Sequence, residues 1–355
     1  MGLFCFCSLY AIDNNVGRLE KDVAQWLNLP SGVSLKKLSG GQTNISFAAI
    51  HSEDPEKKFV VRIGKKDSSV FSIDRFCETA CQGSANRMGI APKIFYSDPR
   101  NGTLVSSFIP GKNLTTKNIC DSSRLQDVID IIKKCHNIPF KKEFKTFSIY
   151  DKLRAMLTAL LSEKMFITHK ESQEISEIID RIESYFHEKE KKYEGLCHGD
   201  LVAGNFRDDG TRLWLIDWEY ACWDNILIDL ASFCIELHLS KEKTKEVLMF
   251  YFGQNWQEYY FDFMLICVIY NIRDAFWYIL RGREVAILDG VNMIEFAQKH
   301  LCSARVLWSY IERDGYLFLP IPGGYDIRNS YHTLLSCWMP GSIANSSGIA
   351  FEIFP

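Results

Sequence analysis

The stretch His198-Gly-Asp200-Leu-Val-Ala-Gly-Asn205, with Asp217 closing Leu213-Trp-Leu-Ile216 twelve residues later, decides how the chain divides. Within it, 212–216 is a short apolar run behind an Asp208-Asp-Gly210 turn, the signature of a strand after a tight turn. Its surroundings have a different period. Apolar residues recur at helical spacing over 121–136, 148–166, 170–192, 226–239, 241–252, 256–281 and 290–312. The segment 197–220 is therefore a β insertion in a helical region. Upstream the pattern is mostly β: residues 33–38, 45–50 and 59–63 are short β-branched or apolar runs. Turn-like Ser39-Gly-Gly-Gln-Thr-Asn44 and polar 52–58 separate them. A helix is expected at about 72–88, with Asp74 near its start and Gly89 just past its end. Strands at 94–96 and 103–109 follow, joined by Asp98-Pro-Arg-Asn-Gly102, before Ile109-Pro-Gly-Lys112 breaks the pattern. The expected chain is α+β. It has an N-terminal extension over 1–32, a small β-rich nucleotide-binding lobe over 33–110, a larger helical lobe over 111–318, and a tail over 319–355 without clean period.

The quoted stretch also carries chemistry. Transfer of a phosphoryl group from ATP needs two oxygens held in line, phosphates neutralised by Mg²⁺, and an acceptor hydroxyl oriented by a carboxylate. Kinase-type sites meet this with His-x-Asp-x-x-x-x-Asn and a second Asp at the end of a strand. His198, Asp200, Asn205 and Asp217 fit. Asp200 is expected to orient the acceptor hydroxyl or take its proton. Asn205 and Asp217 are expected to hold Mg²⁺, and His198 to support the loop. One Asp or Asn beside Gly is ordinarily a turn residue. The three at fixed offsets arise by chance on the order of once in a hundred chains at ordinary residue frequencies.

In the β-rich part, Ser39, Gly40, Gly41 and Asn44 lie in a turn whose backbone N–H groups suit phosphate. Arg62 is a charge inside Phe59-Val-Val-Arg-Ile63; it is either an edge-strand residue facing solvent or a phosphate ligand, and its place just before the helix favours the latter. Glu78 on that helix is then its expected ion-pair partner, by analogy with the strand-Lys and helix-Glu pair of protein kinases.

Composition narrows the class. The hydrophobic fraction of 47% and charged fraction of 24% over 355 residues are those of a globular protein with a sizeable core. A net charge of −3 offers no electrostatic reason to expect nucleic acid or an anionic membrane. The twelve cysteines include no CxxC pair and sit largely in apolar runs, which suggests reduced thiols and a cytoplasmic setting. The apolar run 263–280 is broken by Asn271, Arg273 and Asp274, so it reads as a core helix rather than a membrane span. MGLFCFC lacks the basic start of a signal peptide, and Phe6 stands where myristoylation wants Ser or Thr. No Walker A, dinucleotide fingerprint or HExxH is present, nor the His-Arg-Asp, Asp-Phe-Gly and Ala-Pro-Glu set of protein kinases.

Six segments taken in order resemble the choline/ethanolamine kinase family. They are Leu38-Ser-Gly-Gly-Gln-Thr-Asn44, Phe59-Val-Val-Arg-Ile63, Ile73-Asp-Arg-Phe-Cys-Glu78, Gly89-Ile-Ala-Pro92, His198 to Asn205, and Leu215-Ile-Asp-Trp-Glu-Tyr-Ala221. The likeness runs over about 33–310 and is strongest to the bacterial choline kinase branch, within the aminoglycoside-phosphotransferase-like kinases. It implies a protein-kinase-like two-lobed fold, ATP and Mg²⁺ as cofactors, and Arg62 in place of the usual third-strand Lys. By the same resemblance, Glu219, Tyr220 and Glu236 line an amino-alcohol pocket and Trp277 closes over the ammonium. Such a cation is recognised by aromatic faces and carboxylates. Trp277 also suits plain packing on an apolar helix. The departure is Asp274, an acid where a relative with a paired cage tryptophan would carry the second ring. Choline is the expected substrate. Ethanolamine, an aminoglycoside or a thiamine-like alcohol are alternatives, as is a catalytically silent binding module, which would be expected to lack Asp200, Asn205 or Asp217.

Overall fold

The computed structural model describes residues 16–38, 44–64, 73–163, 166–282, 287–288 and 291–313. The expected tail over 319–355 and Ser39, Gly40 and Gly41 lie outside the described residues. In chain order the main helices are α1 (Val16–Trp26), α2 (Arg75–Arg87), α3 (Ser122–His136), α4 (Ile149–Ser162), α5 (His169–Phe186), α6 (Ile226–Glu236), α7 (Lys241–Phe252), α8 (Gln257–Gly282) and α9 (Met293–Arg313). The main strands are β1 (Val33–Lys37), β2 (Asn44–His51), β3 (Lys58–Gly64), β4 (Ile94–Asp98), β5 (Thr103–Ser107), β6 (Glu194–Cys197), β7 (Phe206–Asp208), β8 (Leu213–Leu215) and β9 (Cys222–Asn225).

Two compact units result: Met1–Leu114 with Ile138–Lys145 and Gly204–Cys222, and Thr115–Asn137 with Thr146–Ala203 and Trp223–Pro355. The first holds an antiparallel sheet in the order β1-β2-β3-β5-β4. Alternate residues of its strands, Phe47 and Ala49, Phe59 and Val61, and Val105, form one apolar face. Val23 of α1 and Leu29 close over it, and Trp26 stacks on Tyr96 at 4.4 Å. Helix α1 lies in the stretch expected only as an N-terminal extension; 11 residues are too few for a stable isolated helix, and packing of its apolar side on the sheet supplies the rest. Helix α2 starts where Asp74 predicts, its carboxylate accepting from the N–H groups of Phe76 and Cys77 at 3.0 Å each. Strand β5 ends at Ser107, short of the expected 109, because Pro110 cannot donate to a ladder and the chain turns at Gly111. Lys112–Asn113 then pairs with β7, and β7 with β8, as a small three-stranded sheet.

The second unit is helical, with β6 and β9 as its one larger strand pair among the described residues. Helix α8 is long and apolar enough to span a membrane, yet 83% of its apolar window is buried, with α9, α6 and α4 packed along it. This is the core helix expected of 256–281. Several helices stop earlier than their periodicity suggests. The chain leaves α6 at Glu236 because His238 adopts φ +49°, and α5 ends at Phe186 before a separate short helix, Glu190–Tyr193. Helix α9 starts at Met293 rather than 290, since Val291–Asn292 pairs with Ile287–Leu288.

Candidate active site

In the first unit the sequence-predicted residues converge on a buried ionic network. Strand β3 is central rather than an edge, so Arg62 points into the unit and is 8% exposed. The solvent-facing alternative for Arg62 is thereby excluded. Its guanidinium grips the Glu78 carboxylate through both terminal nitrogens, Nη2 donating to Oε2 at 2.8 Å. Arg75 then links three residues: Nη1 donates to Glu78 Oε2 and Glu219 Oε2 at 3.0 Å each, and Nη2 to Asn44 Oδ1 at 2.9 Å. Asn44 Nδ2 donates to Glu219 Oε2 at 2.7 Å. Two arginines thus balance two buried carboxylates, which burial of such charges requires. Burial pulls the Arg62 pKa down, but Glu78, Asp217 and Glu219 outweigh it and hold the guanidinium more firmly charged than usual. The acids that Arg62 feels therefore include Asp217.

Asn205 and Asp217 flank the β7–β8 hairpin at the same end. Asn205 ends a 3₁₀ turn just before β7, Asp217 follows just past β8, and Ile216 N donates to the Asn205 carbonyl at 2.9 Å. The hairpin register, Phe206 opposite Leu215, sets both residues at its open end. Asp217 is exposed with φ +65°, a left-handed conformation tolerated best by Asn and Asp outside Gly. Behind it Trp218 is fully buried, with Nε1 donating to the Leu215 carbonyl at 2.9 Å. A carboxylate and a neutral amide oxygen are the hard donors that Mg²⁺ selects. Tyr220, half-buried, follows Glu219 in the same unit.

His198 and Asp200 belong to the second unit, in the turn after β6. Asp229, at the start of α6 and fully buried, holds this turn by its backbone: its Oδ2 accepts from His198 N at 2.7 Å and its Oδ1 from Gly199 N at 2.8 Å. Gly199 takes φ +79°, which a Cβ would strain, and so turns the chain toward Asp200. His136 Nε2 lies 3.1 Å from Asp229 Oδ2, and its Nδ1 lies 2.6 Å from the Tyr251 hydroxyl. Burial pushes the Asp229 pKa up, but the His136 contact and the His198 N–H bring it below the usual carboxylate range. His136, Cys197 and Asp229 place potential ligand atoms within 4.8 Å of one another. Both Asp229 oxygens and both His136 nitrogens are already in hydrogen bonds, so this group is a brace for the turn rather than a metal centre.

The remaining residues form a second cluster in the same unit. Glu236 ends α6, and the Tyr270 hydroxyl lies 3.2 Å from its Oε1 and 2.9 Å from Ser232 Oγ. Asp274, one turn of α8 further on, accepts from Arg273 Nε at 2.8 Å, and Arg273 Nη2 donates to the Tyr270 hydroxyl at 2.7 Å. The Glu236 and Asp274 carboxyls are linked through the Tyr270 hydroxyl and Arg273, and each influences the other's ionisation. Burial, then the neighbouring Asp274 charge, push Glu236 well above the usual carboxylate range. Burial also disfavours charge on Asp274, but Arg273 and the interaction with Glu236 hold it below that range. Trp277 is half-buried, edge-on to Tyr278 at 5.2 Å.

Arg75, His136, Asp229, Tyr251 and Arg273 have no role in the sequence reading. Asp229 did carry a signal, an acid inside Ile226-Leu-Ile-Asp-Leu-Ala-Ser-Phe, which burial obliges to find donors. Arg75, His136 and Tyr251 become visible only when long-range pairing is known, whereas Arg273 pairs within α8 with Asp274 and Tyr270.

Residues 35–258 match the family model described as choline/ethanolamine kinase. The Protein LicA of Haemophilus influenzae is 26% identical over 256 residues, covering 70% of this chain and 92% of that protein. Among solved structures, the choline kinase LicA from Streptococcus pneumoniae superposes with TM-score 0.62 at 21% identity, covering 81% of this chain and 99% of that one. The Plasmodium vivax ethanolamine kinase superposes with TM-score 0.63 at 18% identity, covering 78% and 84%. The fold is accordingly protein-kinase-like, with a small sheet-bearing unit and a larger helical one.

Proposed function

The chain belongs to the choline/ethanolamine kinase family, and from that premise we propose that it transfers the γ-phosphoryl group of ATP to the hydroxyl of choline. The observation that carries the reaction is the placement of Asn205 and Asp217 at the open end of one hairpin, with Asp217 acting on the Arg62 that Glu78 holds. In this reading Arg62, held rigid by Glu78, binds nucleotide phosphates, Ser39, Gly40 and Gly41 offer backbone N–H groups to them, and Asn44, which opens β2 with its side chain tied to Arg75 and Glu219, acts only by bracing that network. Asn205 and Asp217 hold Mg²⁺, which when bound neutralises phosphate charge. Asp200 orients the alcohol. As the alcohol oxygen bonds to the γ-phosphorus and the β–γ bridging oxygen departs with ADP, the hydroxyl proton passes to the Asp200 carboxylate. His198 keeps the turn in place.

For the acceptor, Glu236, Asp274 and Trp277 supply carboxyl groups and an aromatic face suited to an ammonium. Glu219 is better matched to ordering Arg75 and Asn44, which already occupy its Oε2, than to holding a cation. A second reading, ethanolamine, is favoured by one observation: Asp274 offers a hydrogen-bond acceptor, which a primary ammonium can use and a quaternary one cannot. Coupled ADP release with Mg²⁺, ATP and a panel of choline, ethanolamine, thiamine and aminoglycosides tests both. Choline is expected to give the largest kcat/KM, with Asp200→Ala abolishing turnover. ADP release that no acceptor stimulates, or that Asp200→Ala leaves unchanged, refutes the assignment.

A further inference from the structure

Asp274 is buried, and its two oxygens are treated differently. Oδ1 takes the Arg273 guanidinium, whereas Oδ2 receives no N–H or hydroxyl hydrogen bond among the described residues. Glu236 and Asp274 belong to one buried cluster: the Tyr270 hydroxyl donates to Glu236 Oε1 and accepts from Arg273, which holds Asp274 Oδ1, and Asp274 also feels Glu236 and His300. A hydrogen carried by Glu236 is the donor that the unfilled acceptor Oδ2 calls for. We propose that Glu236 and Asp274 share a single proton in the free protein and surrender it when the cationic head of the amino alcohol binds, so that uptake exchanges a proton for a cation.

The charges support this. With the proton in place, Glu236 is neutral and Asp274 is balanced by Arg273, so the cluster has no net charge and attracts no ammonium. Without it, the cluster carries one negative charge, the complement of a single cation. Two carboxylates in one poorly solvated cluster cannot both ionise unaided, whereas an opposite charge within about 4–6 Å favours the ionised form by 1–3 pKa units. The groups facing the pair leave few competitors. Tyr270 and Tyr278 are held neutral by burial, and burial lowers the His300 pKa, so that it too is neutral near pH 7. Arg273 stays charged, and Asp200 adds negative potential that opposes ionisation of Glu236 until a cation arrives. The sign follows: the ammonium binds the deprotonated pair, so affinity rises with pH and levels off above the raised Glu236 value. Asp274 is thereby a specificity-determining residue, favouring acceptors with a permanent or retained positive charge over isosteric neutral alcohols.

The inference rests on the amino-alcohol reading, and calorimetry separates the two. Choline is titrated into the full chain at pH 6 in two buffers of different ionisation enthalpy, and the difference in observed heat counts the protons released. About one proton per choline is expected, none with the neutral carbon isostere 3,3-dimethylbutan-1-ol, and close to none in Glu236→Gln. Below the plateau, choline affinity is expected to fall about tenfold per pH unit. Choline that binds wild-type protein at pH 6 with no buffer-dependent heat overturns the exchange while leaving the amino-alcohol reading standing. Failure of both choline and ethanolamine to bind overturns the reading and the exchange with it.

Discussion

Asp229→Asn isolates the brace that holds the turn carrying Asp200. The carboxylate accepts from His198 N and Gly199 N on separate oxygens and contacts His136 on one of them. An amide offers only one acceptor oxygen, so one backbone N–H is left buried and facing an NH₂ group. Leaving a buried donor unsatisfied costs about 1–3 kcal/mol, and loss of charge on the surviving bond removes roughly 1 kcal/mol more. The sum, about 2–4 kcal/mol, corresponds to a fall in Tm of roughly 4–16 °C for a unit of this size. Because a displacement of about 1 Å at a reacting group can cost 10²-fold, kcat is expected to drop about 100-fold. The ATP KM should change little, since the residues proposed to bind nucleotide belong to the other unit. Thermal melts and coupled kinetics read both effects. The pH dependence gives a further check. Asp229 is held below its ordinary range, so its contribution is present above the unfolded value of about 3.9 and lost as pH falls through the lower folded value. The variant should lose that acid limb. A Tm within 1 °C of wild type, with kcat unchanged, would show that the turn holds itself and that Asp229 is no brace.

Other substitutions test separate parts of the structure. Arg62→Lys keeps the charge but loses the two-pronged grip on Glu78, and should raise the ATP KM roughly tenfold, about 1.4 kcal/mol, with choline KM unaffected in steady-state kinetics. Gly199→Ala forces a Cβ into φ +79°, so about 1–2 kcal/mol of stability should be lost in denaturant melts, together with turnover. Phe276→Ala empties a fully buried site on α8 and should cost about 3–5 kcal/mol in the same melts; a smaller loss would mean that α8 is not the core of its unit.

The parts of the site that are legible in the sequence are those whose geometry is local. Asn205 and Asp217 lie at the same end of one hairpin, and Asp200 on one tight turn, so within each a fixed spacing brings with it a fixed arrangement. The sheet and the core helix are likewise written in periods of 2 and 3.6 residues. Residues that act through distant partners leave no such trace. Arg75 meets Glu219 144 residues away, and nothing in the first turn of α2 distinguishes it from a solvated basic residue. What the sequence does show is a need: an acid placed in an apolar run must be paired. How each acid meets that need then separates structural acids from one kept for a ligand. Asp229 has donors on both oxygens, and so does Asp262, which takes Tyr185 and Lys189 on one and Tyr193 on the other. Asp274 has a donor on Oδ1 alone, and its second oxygen is buried without one among the described residues. Evolution of a merely stable helix would favour a donor or an apolar side chain at position 236 or 274. Two acids that share one arginine form a cluster that is neutral only while it keeps a proton, and such a cluster is suited to receiving a second positive charge that the protein itself does not supply.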